Sequence, residues 1–140
     1  MLPVFAADRA AETKIAFSRA QHLRHGINAS EWFAQSANDY SAARTNRYTD
    51  AADIALMAKL GFDNVRPSID PAPLEQYPRG KEGLNEECLD RMDAAVDAML
   101  ANGLAVEIDI HPEENYQQQV RTTSDGVDRF VMLWRKLAAH

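Results

Sequence analysis

Three times along this chain a β-prone run is followed by a long polar segment and then by a helix-patterned stretch. The return from helix to the next strand takes only one to three residues, Gly61 in one case and Asn102-Gly103 in the next. That rhythm constrains the fold more than any other feature. Strands separated by helical crossovers pair in parallel, and the crossovers are right-handed, so the helices cover the sheet. The reading predicts strands at residues 23–29, 62–69 and 104–110, with a lead-in helix at 8–21 capped by Asp8. A helix over about 50–60 would start at Thr49 and stop at Gly61. The next, capped by Asn85, carries the apolar stripe Leu89, Met92, Val96, Met99 and Leu100. Ser124 caps a last helix whose apolar face is Val127, Phe130, Val131, Trp134 and Leu137. Residues 30–48 read as a loop with Trp32, Phe33, Tyr40 and Tyr48, and the segment from Asp70 to Leu84 as a second loop rich in Pro and Gly.

Elaboration falls only on the segments after strands. In α/β sheets and barrels those segments lie at the carboxyl ends of the strands, where sites are built. The fold class expected is α/β: a partial (β/α)₈ barrel, its first three β-loop-α units preceded by a lead-in segment at 1–22, with 23–140 as the barrel part. The 140 residues fall short of the roughly 200 to 250 a full barrel takes.

Charge narrows the partners. Lys and Arg total 15 against 21 Asp and Glu, a net −6, which leaves no basic excess to neutralise phosphate. Nucleic acid and anionic membrane are therefore disfavoured. No apolar run approaches the roughly 18 residues of a membrane span. Cys88 is the single cysteine, so neither an internal disulfide nor a cysteine-based zinc site is available.

Strand periodicity sorts the polar side chains. With Val106, Ile108 and Ile110 towards the helices, Glu107, Asp109 and His111 point to the other face. Arg66 joins them if Val65 faces the helices, and Arg24, Gly26 and Asn28 follow if Ile27 does. A purely structural core would not gather so many polar groups on one face. Arg24 and Glu107 are expected as a buried pair near the floor, Asp109 as a structural acceptor, and Glu113-Glu114 as a solvated turn.

Several of these runs are similar to one family. Gly26-Ile27-Asn28-Ala29-Ser30 with Trp32-Phe33, the segment from Gly61 to Pro71 around Val65-Arg66, and Gly103 to Glu113 ending its strand in His111 resemble the first three strands of glycoside hydrolase family 5. Residues 130–140 resemble that family's third helix. Pro67 and Ser68 follow Arg66 where the family usually has Leu and Pro. The resemblance implies a retaining hydrolase of β-1,4-linked glucan such as cellulose, with no cofactor and no metal, working in a secreted or periplasmic setting. It implies that Arg66 holds the nucleophile ionised and that His111 lines the sugar subsite beside the cleaved bond. Asn28, Trp32 and Phe33 would contact glucan. The family's acid/base and nucleophile glutamates follow its fourth and seventh strands, so no catalytic residue is assigned in these residues. The 140-residue chain is expected inactive alone and dependent on the C-terminal barrel half as partner. The alternatives are a non-catalytic carbohydrate-binding remnant, or a metal-dependent barrel hydrolase using Asp109, His111 and Glu113.

Overall fold

The computed structural model describes residues 4–37, 39–76 and 83–140. Helix α1 (Val4–Ala20) precedes strand β1 (Gly26–Phe33), and α2 (Ala42–Tyr48) and α3 (Ala51–Lys59) follow. Then come β2 (Asn64–Ile69), α4 (Pro71–Leu74) and α5 (Glu86–Ala101). The third strand is split into β3 (Ala105–Val106) and β4 (Asp109–Ile110), with α6 (Glu114–Thr122) and α7 (Ser124–Ala139) after it.

All pairings are parallel, as the alternation requires, and β2 is central between β1 and the β3/β4 strand. Register explains the split. Val65 pairs with Val106 and Ile69 with Ile110, so Pro67 lies opposite Ile108. Val65 and Ile69 accept from the amides of Glu107 and His111, on the same side of β2 where Pro67 should donate. Proline has no N–H to offer, so the ladder opens between β3 and β4.

Helix ends follow local chemistry. Asp50, not Thr49, caps α3: its Oδ1 accepts from Ala52 N and Asp53 N at 2.8 and 3.0 Å, while Asp53 Oδ2 accepts from Asp50 N at 3.1 Å. This reciprocal box outcompetes Thr49, whose extended backbone ends α2. Gly61 takes the positive φ of 89° expected after the helix. Asn85 caps α5 as expected, through Cys88 N. Thr123, one residue before Ser124, caps α7 by accepting from Gly126 N at 3.0 Å. Asp8 lies inside α1, which starts at Val4.

The core forms between the sheet and α3, α5 and α7, around Ile54, Val65, Ile69, Met92, Met99, Leu104 and Leu133. Two expected stripes shift by part of a turn. On α5 the expected Leu89, Met92 and Met99 are buried together with Cys88 and Ala95, while Leu100 is 54% exposed. On α7 the inward line is Gly126, Phe130, Leu133 and Leu137, and Val127, Val131 and Trp134 turn outward. Helices α2, α4 and α6 lie where loops or turns were expected. They are short, and each buries only one to three residues, so they carry little periodic signal. Glu113-Glu114 is correspondingly the start of α6, both side chains being exposed. Among the described residues no helix is long and apolar enough to cross a membrane.

Candidate functional site

The face of the sheet opposite the helices carries the polar side chains. Pro67, Ile69 and Ile108 lie against α5 beside Met92 and Met99. Gly26, Asn28, Asn64, Arg66 and Glu107 line an open cleft on the other side. At its base Gly26 leaves room for the Asn64 side chain: a Cβ there would sit 2.4 Å from Asn64 Oδ1, and the amide would have to move aside.

Arg66 is the hub. Its Nη1 donates to Asn28 Oδ1 at 3.1 Å, across the directly paired position on β1. Its Nη2 lies 2.9 Å from Asp109 Oδ2. The same oxygen is 3.2 Å from His111 Nδ1. Strand order produces this arrangement. Asp109 pairs with Ser68, two residues along from Arg66 on the same face, and His111 follows two residues later. His111 is fixed through its backbone: its amide donates to Ile69 O at 2.7 Å, and the next carbonyl, that of Pro112, accepts from Gln117 Nε2 at 2.8 Å. Asn28, Arg66, Asp109 and His111 are thus brought together at the carboxyl end of the sheet. The Arg66 and His111 side chains remain 36% and 40% exposed.

Two expectations fail. Arg24 precedes β1 and is exposed, as is Glu107. Instead of pairing with Glu107, Arg24 offers its backbone amide to both Asp63 carboxylate oxygens at 3.1 Å. Partial desolvation pushes the Asp63 carboxyl up, but donors from His25 N, the Asn64 amide and Arg24 N outweigh it and hold it below the usual range. Trp32 and Phe33 are core residues, only 4% and 6% exposed, with ring centroids 4.8 Å apart. The indole Nε1 of Trp32 donates to Thr45 O at 2.7 Å. The cause is a bulge. The register with β2 slips between Ala29 and Phe33, and Glu31 takes a φ of 59°. Alternation breaks there, so neighbouring rings can both turn inward. Arg44 pins the bulge by donating to the Glu31 and Trp32 carbonyls. In this arrangement neither ring offers a face to sugar.

The rim contains groups that strand periodicity did not reach. Asp70, at the end of β2, is buried; its Oδ1 accepts from Ala72 N at 2.9 Å and its Oδ2 from Tyr40 Oη at 2.6 Å. Burial, then the bond to Asp70, pushes the Tyr40 phenol up to about 12. Glu75 accepts from Arg129 Nε at 2.9 Å, tying the segment after β2 to α7, and the guanidinium stacks 4.4 Å over Tyr116. Asp70-Pro71 was a readable helix-start signal; the Tyr40 and Arg129 contacts span 30 and 54 residues and had none. Among the described residues no group of three or more His, Cys, Asp and Glu side chains is placed to hold a metal ion.

Parallel strands covered by helices define part of a (β/α) barrel, and the polar cluster lies at the carboxyl ends of its strands, the end where barrels build their sites. Residues 25–140 match the model of the cellulase family, glycosyl hydrolase family 5, and the chain belongs to that family. It is 28% identical over 127 residues to Cellodextrinase A of Ruminococcus flavefaciens, covering 86% of this chain and 36% of that protein. Among solved structures it is similar to Thermotoga maritima Cel5A, described in complex with cellobiose, at a TM-score of 0.64 and 24% identity. That likeness covers 87% of this chain and 37% of the other, and it shows the fold. The chain spans little over a third of the length of either protein.

Proposed function

We propose that these residues form one wall of the active site of a retaining β-1,4-glucan hydrolase. Family membership supports the reaction class, and the name of Cellodextrinase A supports β-1,4-glucan or its oligosaccharides as substrate. The observation that carries the reading is the convergence of Arg66 and His111, through Asp109, on one face at the strands' carboxyl ends.

The roles follow from chemistry. Arg66 spends two of its five N–H donors on Asn28 and Asp109. Among the described residues its remaining donors meet no partner, and they are placed to hold a nucleophilic carboxylate in its charged, reactive form. His111 and Asn28 present hydrogen-bonding groups to sugar hydroxyls. A retaining mechanism further needs two carboxyls about 5 to 5.5 Å apart, one acid/base and one nucleophile, which this reading assigns to the rest of the barrel. A polymer of this kind does not cross membranes, so the protein would work in a secreted or periplasmic setting; fractionation of producing cells checks that.

The test is a chimera in which these 140 residues replace the matched segment of Cellodextrinase A. It should melt cooperatively and release reducing sugar from cellodextrins. Arg66→Ala should lower kcat by at least about a hundredfold, since loss of electrostatic support at the reacting carboxylate is of that order. A chimera that folds yet leaves β-1,4-glucans intact would overturn the proposal.

A further inference from the structure

The contact between Asp109 and His111 fixes more than a position. An ionised carboxylate is an acceptor only. Asp109 Oδ2 lies 2.9 Å from the Arg66 guanidinium and 3.2 Å from His111 Nδ1. Were Nδ1 unprotonated, two lone pairs would face each other at that distance. The arrangement therefore demands a proton on Nδ1, and in the neutral ring the other nitrogen, Nε2, carries the lone pair.

Resting on the glucanase reading above, we infer that Asp109 is a positioning residue. One of its oxygens couples Arg66 to His111 and holds His111 in the Nδ1–H form, so that Nε2 is presented as an acceptor for a donating sugar hydroxyl. The rest of the local structure agrees. The His111 backbone is tied by the Ile69 carbonyl on one side and Pro112 on the other, which leaves side-chain rotation and tautomer as the freedoms to be settled. Asp109 settles both. It also braces the guanidinium of Arg66 opposite Asn28, so a single carboxylate sets the direction of both the group that holds the nucleophile and the group that meets the sugar. A hydroxyl that donates to Nε2 is recognised in a way that an ether oxygen or a deoxy position is not. The inferred ligand class is accordingly a sugar with a free hydroxyl at that point.

Two measurements test this. Long-range proton–nitrogen spectra of the nitrogen-15-labelled Cellodextrinase A chimera, in which these residues have the rest of a barrel to pack against, report the histidine tautomers, with His111→Gln assigning the signal. The expected result is a protonated Nδ1 and a lone-pair Nε2 at His111, lost in Asp109→Ala. A protonated Nε2, or an even mixture of the two forms in the unaltered chimera, overturns the inference without the Asp109 variant having to fold. In the Cellodextrinase A chimera, Asp109→Ala should lower kcat/KM on cellodextrins about ten- to hundredfold, the scale of a slightly misplaced reacting geometry. A monodeoxy cellodextrin lacking the donating hydroxyl should lose that much on the unaltered chimera and little more on the variant. Equal losses on both would overturn the proposed acceptor role. Activity with the wrong tautomer sinks this inference alone; an inactive, folded chimera with the right tautomer sinks the glucanase reading alone.

Discussion

Tyr40→Phe isolates one hydrogen bond at the rim. The ring stays, so no cavity opens; what disappears is the hydroxyl that donates to Asp70 Oδ2 at 2.6 Å. That length is typical of an O–H···O⁻ bond. Asp70 is 3% exposed, so water cannot readily replace the lost donor. Bonds to charged groups contribute about 1.5 to 3 kcal/mol, and a buried acceptor left unmade sits at the upper part of that range. At about 2 to 4 °C per kcal/mol, the melting temperature should fall by about 4 to 12 °C. Asp70→Ala should cost more, because it also uncaps α4, whose Ala72 amide bonds Oδ1, a further loss of about 1 kcal/mol. The double variant should then be less destabilised than the sum, by the energy of the shared bond. Fluorescence of buried Trp32 follows unfolding, at one fixed protein concentration so that any association does not move the midpoint. The reasoning has a pH signature as well. The phenol is pushed from 10.0 up to about 12, chiefly by burial and then by Asp70, so the folded state binds its proton more tightly. Its stabilisation is complete below about pH 10 and is lost as pH rises towards 12. Tyr40→Phe should remove that alkaline slope. If it melts within about 0.5 kcal/mol of the unaltered protein, the Tyr40–Asp70 bond does not hold the rim.

Asp63 gives the opposite pH dependence. Its carboxyl is depressed below 3.8, so its grip on the Arg24 and His25 amides is full above that value and is lost as pH falls through the lower folded value. Protection of the Arg24 and His25 amides, relative to their intrinsic exchange rates, should fall on acidification through the folded value, and Asp63→Asn should show low protection with little such pH dependence; strong protection in Asp63→Asn would contradict this. At the turn between α6 and α7, a Cβ on Gly126 would lie 2.2 Å from Gln119 O. Gly126→Ala should therefore separate the two helices and cost about 1 to 3 kcal/mol or more, read by urea unfolding; an unchanged midpoint would show that the helices adjust freely.

The alternation of elements, the parallel sheet and the polar face were legible in the residues themselves. Period-two placement of Arg66, Glu107, Asp109 and His111 depends only on backbone geometry, and Asn85, Gly61 and Gly103 act within a turn of their own position. The short helices α2, α4 and α6 bury too little apolar surface to leave a pattern. Trp32 and Phe33 could not be placed, because a bulge at Glu31, held by Arg44 thirteen residues away, overrides the alternation that served elsewhere. Pro67 splits the third strand only because register sets it opposite Ile108, a fact about pairing and not about either segment. Sequence by itself determined which face the side chains of β2 and of the third strand take, and where α5 begins and ends, since those follow from local dihedral preferences and repeat periods. Tertiary structure alone decided which of them touch. The Asn28–Arg66–Asp109–His111 chain, the Tyr40–Asp70 bond and the Glu75–Arg129 tie all join segments distant in sequence, and such contacts exist only once burial has fixed strand order and register.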